Sequence, residues 1–134
     1  MAPVEEPGVL PGQSVMVGVM PHTKLLAKGN PTLVDPVQSE LAQLDLAPYE
    51  AIRLSVGNWE GSSGRVVIAI SQVDQPNTPN ANLIASVDSF TLAPDESASK
   101  VYKVPGGVVV FLANPEQPPQ GGIQVFFTIY GRGD

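Results

Sequence analysis

The sequence predicts an all-β fold, an antiparallel β-sandwich of jelly-roll type with an extended Pro-rich N-terminal arm, and three observations carry that prediction. Residues 108–113 are an unbroken apolar run between Gly106-Gly107 and Asn114-Pro115, too short for a helix and bounded by breakers, so they read as a strand buried on both faces. Turn signals recur at spacings of roughly 8–15 residues through the second half, with no sustained helical period between them. The 14 Pro and 13 Gly accompany a hydrophobic content of 43%, a combination that fits many turns between short strands and excludes general disorder.

A chain of 134 residues has room for one domain with a real core. The patterning divides it into an N-terminal arm over 1–36, carrying a strand at 13–20, and a β-sandwich domain over 37–134. Proline at 3, 7, 11, 21, 31 and 36 sets the character of the arm, because each removes a backbone donor and biases the preceding residue toward extended geometry. Between Pro11 and Pro21, Val15, Val17 and Val19 fall on one face, with Met16 and Met20 on the other. Left in water these side chains cost about 1.5–3 kcal/mol for each that could be fully buried. They form the expected assembly strand, which either docks on the chain's own sheet or adds to that of a neighbouring subunit.

Residues 32–34 suggest a further short strand. Val37, Leu41 and Leu44 have helical spacing while Leu44 and Leu46 alternate, so this segment is either a helical turn or the lead-in to a strand. Over 49–57, Ile52, Leu54 and Val56 face one way and Arg53 and Ser55 the other, a half-exposed strand. Residues 58–64 make a turn, and 65–73 a strand with Val66, Ile68 and Ile70 inward. A polar loop then leads to strands over 83–87 and 90–92. The turn at 93–97 has Pro where turns favour it, followed by a strand over 99–104. After the 108–113 run, Ile123, Val125, Phe127 and Ile129 share one face of a last strand, read as closing a hairpin with that run. The predicted core is Ile52, Leu54, Ile68, Ile70, Val110, Leu112, Val125, Phe127 and Ile129.

The charge balance of −6 removes the counterion-release term that drives nucleic-acid binding. No apolar run approaches the roughly 18 residues of a membrane span. The acidic start, with Glu5 and Glu6, lacks the basic region of a signal peptide, so the chain is expected to be soluble with no visible export signal. There is no cysteine, which excludes disulfides and thiolate chemistry. His22 is the single imidazole, and a Ser-His-Asp triad would have to use it from within the Pro-flanked arm. No catalytic centre, cofactor or metal is therefore expected. The Asp/Asn-rich loop over 74–82 lacks the alternating pattern of a Ca²⁺ loop and reads as a turn. Trp59, Tyr49 and Tyr102, with Tyr130, are residue types that stack on pyranose rings, which makes a carbohydrate-binding module the alternative to a structural subunit. Arg132-Gly133-Asp134 spells the integrin-recognition tripeptide, here read as a chance three-residue match.

The succession of a strand, a Gly/Ser turn, a strand, the turn Leu92-Ala93-Pro94-Asp95-Glu96-Ser97, the strand Lys100-Val101-Tyr102-Lys103-Val104, an apolar strand and a last strand through Thr128-Ile129-Tyr130 resembles small jelly-roll subunits of self-assembling surface structures. These are the endospore-appendage subunits of Gram-positive bacteria and, more loosely, phage capsid decoration proteins; the resemblance covers about residues 49–130. It implies a homo-oligomer whose N-terminal connector lies on the neighbouring subunit, exposed on a spore or virion surface after lysis. Appendage connectors are known for cross-linking cysteines, which this chain lacks, so assembly is expected to be noncovalent.

Overall fold

A computed structural model of the chain describes residues 23–73, 83–103 and 107–133. Among these residues lie eight strands and no helix: β1 (Thr23–Leu33), β2 (Ser39–Asp45), β3 (Ala51–Asn58), β4 (Val66–Val73), β5 (Leu83–Leu92), β6 (Ser97–Lys103), β7 (Val108–Pro115) and β8 (Gln124–Arg132). They form two four-stranded antiparallel sheets, sheet I in the order β1-β8-β3-β6 and sheet II in the order β2-β7-β4-β5. The all-β sandwich follows from the period-two patterning of the sequence: Ile52, Leu54 and Val56 of β3 and Val125, Phe127 and Ile129 of β8 meet Val66, Ile68 and Ile70 of β4 in one core. Alternate residues of each strand share a face, so a pattern of that period can bury only one side.

The apolar run of β7 is less symmetric than its composition suggests. Val109, Phe111 and Ala113 enter the core, while Val110 and Leu112 point to the outer face of sheet II. Val110 is still buried, flanked by its register neighbours Gln43 and Ser71, and Leu112 is half-buried. These two residues of the predicted core therefore lie outside it, because both strands beside β7 shelter its outer face without a second layer.

The hairpin expected between the last two strands is absent. β7 belongs to sheet II and β8 to sheet I, so 116–123 crosses the sandwich instead of turning back within a sheet. Only the β4–β5 connection joins neighbours in one sheet; every other connection passes between sheets. The ambiguous segment after Val37 is the strand β2, whose register shifts between Glu40 and Ala42, and this bulge is what mimics a helical spacing. The two short strands expected over 83–92 are the single β5, and β6 begins at Ser97. The arm boundary also differs: Thr23–Leu33 pairs with β8 as an eleven-residue edge strand, so the sandwich begins well before residue 37. The 13–20 run, with Val15, Met16, Val17, Val19 and Met20, lies outside the described residues. So do His22, the 74–82 loop and Asp134.

Candidate assembly surfaces

The strand order brings four connections to one end of the sandwich: β1–β2, β3–β4, β5–β6 and β7–β8. They are stitched to one another through the backbone. Gln120 N donates to Pro36 O at 3.0 Å, Ser63 N to Gly122 O at 3.0 Å, Asp95 N to Asn58 O at 2.9 Å and Glu116 N to Arg65 O at 3.0 Å. Asn58, fully buried, adds two bonds from Nδ2, to Gly64 O and Leu92 O, each 3.0 Å. Asp95 takes a left-handed φ of 70° in the β5–β6 turn, a conformation an Asp side chain tolerates better than most. Shared bonds of this kind hold the loop end as one surface. On it stand Trp59, 43% exposed, and Val37, 60% exposed.

That end is acidic. Asp35, Glu60, Asp95, Glu96 and Glu116 lie in its loops against the single cation Arg65, which reaches Glu116 at 3.5 Å across exposed surface.

Sheet I has the opposite character. Its strands contain no Asp or Glu and six of the chain's seven basic residues: Lys24, Lys28, Arg53, Lys100, Lys103 and Arg132. Arg53 and Lys28 sit on the outward face, in register with Tyr130 and Thr128. Both are exposed, and neither makes an ion pair among the described residues. Beside Lys28 a groove of ≈ 320 Å³ runs between Asn30, Ser55, Ser99, Thr128 and Phe126. Leu25 and Val101, 45% and 67% exposed, flank Tyr130 and Arg53 in one cross-strand row. This charge partition is written in the sequence as four strand-forming segments without a carboxylate, a signal that net charge conceals.

Opposite edges of the two sheets meet where β5 faces β6. Tyr102 donates its hydroxyl to Asp88 Oδ2 at 2.6 Å, Lys100 Nζ lies 3.4 Å from the same oxygen, and the ammonium sits 4.2 Å from the Phe90 ring centroid. The Tyr102 hydrogen bond holds the Asp88 carboxyl below its usual range, aided by the Ser89 backbone donor and by Lys100, against a smaller opposing effect of burial. Burial, and then Asp88 itself, push the Tyr102 phenol well above its ordinary value. The cluster clamps one edge of the sandwich.

The three aromatics suggested for glycan contact are dispersed. Trp59 stands on the loop end, Tyr102 commits its hydroxyl to Asp88, and Tyr49 packs by Gly131 near the opposite end. Arg132 of the terminal tripeptide lies within β8, paired with Thr23 and Ala51, and its guanidinium reaches Glu50 at 3.4 Å. Among the described residues no group of three or more His, Cys, Asp or Glu side chains is placed to hold a metal ion, and no helix is long and apolar enough to cross a membrane.

Comparison with known proteins adds one finding. No family model and no curated protein matches the sequence. The structure is similar to a solved structure of Bacillus endospore appendages, described as a novel family of disulfide-linked pili, with a TM-score of 0.51 and 11% identity. The match covers 91% of this chain and 98% of that one. At that identity the likeness is one of fold alone.

Proposed function

We propose that this protein is a non-enzymatic structural subunit of a multimeric surface structure, a filament, appendage or virion surface, whose copies are joined noncovalently through the N-terminal segment. The observation that carries the reading is the whole-length likeness of fold to an appendage pilus subunit. The order β1-β8-β3-β6 against β2-β7-β4-β5 supports regarding the sandwich as a jelly roll, since first and last strands pair at its centre-to-edge boundary and nearly every connection crosses between sheets. The neighbour's subunits are linked by disulfides, whereas this chain has no cysteine, so cohesion here rests on strand pairing and apolar burial. Residues 1–22 lead into β1, an edge strand of sheet I, and their Val15, Val17, Val19, Met16 and Met20 supply the apolar side chains for a connector.

The test is to delete residues 1–20 and compare the two proteins by light scattering and negative-stain microscopy. The full chain is expected to form filaments or rings, and the truncated chain to remain folded and monomeric. Assembly by the truncated chain would show that the connector lies elsewhere. A monomeric full chain at every concentration would overturn the structural reading altogether.

A further inference from the structure

The acidic loop end and the basic open face of sheet I are complementary surfaces on one molecule. We propose that they are the two halves of a second contact between copies, in which the loop end bearing Glu60 and Glu116 of one subunit seats on the sheet I face bearing Lys28 and Arg53 of the next. The inference rests on the assembly reading above and adds to the N-terminal connector a contact made by the folded domain itself.

Three observations converge on a second copy as the occupant. The charges are segregated: a chain of net charge −6 places four of its seven basic residues, Lys28, Arg53, Lys103 and Arg132, on the outward side of sheet I, whose strands hold no carboxylate. Lys28 and Arg53 have no ion pair of their own among the described residues, so their partner is to be sought outside the described fold. Both surfaces also carry exposed apolar side chains, Trp59 and Val37 on the loop end and Leu25, Val101 and Phe126 on the face. Specific protein contacts combine such anchors with complementary potentials. A polyanion such as nucleic acid or an acidic polysaccharide would meet the same cations, but it would leave the acidic loop end, with Trp59 and Val37 exposed on it, without a partner. Because the two patches differ, the contact is heterologous, and repetition closes a ring or runs on as a filament.

Charge exchange tests this on the full chain. One variant carries Glu60→Lys and Glu116→Lys on the loop end, a second carries Lys28→Glu and Arg53→Glu on the face, and a third carries all four; circular dichroism and thermal melting confirm that each is folded. In analytical ultracentrifugation each pair alone should weaken self-association by about tenfold or more, because like charges are brought face to face. An equimolar mixture of the two, and the fourfold variant alone, should recover the parent's association. Association of the parent should fall as salt is raised from about 50 to about 500 mM.

Equal assembly by parent and both pair variants would overturn the contact while leaving the assembly reading intact. So would a mixture or fourfold variant that fails to recover. If only the face variant loses association, the face belongs to the acidic residues Glu5 and Glu6 of the N-terminal segment and not to the loop end. If neither variant changes association but the face variant alone loses retention on a heparin column, a polyanion is the occupant and the proposal fails. A parent that never associates overturns both readings.

Discussion

A methyl group is enough to separate two glycines that look alike in sequence. A Cβ at Gly29 would collide with the Phe127 ring and with Thr32, and a Cβ at Gly57 would collide with the Phe126 ring. The consequences differ because Phe127 is buried in the core whereas Phe126 is 42% exposed. Gly29→Ala should therefore destabilise by about 1–3 kcal/mol, the usual cost of overpacking, while Gly57→Ala should cost less because Phe126 can swing into solvent. Urea denaturation of both variants checks the ranking. Tyr102 makes a second residue-scale case. Its hydroxyl holds the Asp88 carboxyl below the usual range, so the pair's stabilisation is present above the unfolded carboxyl's pKa and is lost as pH falls through the lowered folded value. Tyr102→Phe should cost about 1 kcal/mol near pH 7, a half-exposed charged hydrogen bond. The gap from the parent should narrow toward about pH 3, where the unfolded carboxyl already binds its proton. Stability measured across that range would count against the clamp if the gap stayed constant.

At the scale of the strand, β7 tests what an apolar run means. Six consecutive apolar residues carry no period, so which three enter the core is invisible in the sequence; the register with β2 and β4 decides it in favour of Val109, Phe111 and Ala113. Phe111→Ala should cost about 3–5 kcal/mol, and Leu112→Ala, half-buried on the outer face, about 1 kcal/mol; thermal melting separates the two. Strands with strict alternation were legible from the outset: Ile52, Leu54, Val125, Phe127 and Ile129 are where period two puts them. β2 was not, since its bulge between Glu40 and Ala42 breaks the alternation that announces a strand. The partnership of β7 and β8 misled for another reason. A loop of a few polar residues suits a hairpin and a crossover equally, and only the burial required of both sheets chooses between them.

The molecule as a whole is polarised in two ways that no single element displays. Its loops from β1–β2, β3–β4, β5–β6 and β7–β8 gather at one end, and its cations gather on one sheet. Of the candidate site, the aromatic platform suggested by Trp59, Tyr49 and Tyr102 dissolves once strand order disperses them. The complementary surfaces that replace it are set by which strands share a sheet, information that composition and net charge average away.

β1 pairs only with β8, residue Thr23 against Arg132 and Leu33 against Gln124. During synthesis the strand that follows the N-terminal segment therefore waits for the final strand before it has any neighbour in its sheet. Contacts so distant in sequence form slowly, because the loop between them must first be closed. A chain that stops short of β8 leaves β1 and β3 without the strand that lies between them, so sheet I cannot close until synthesis has reached its last strand.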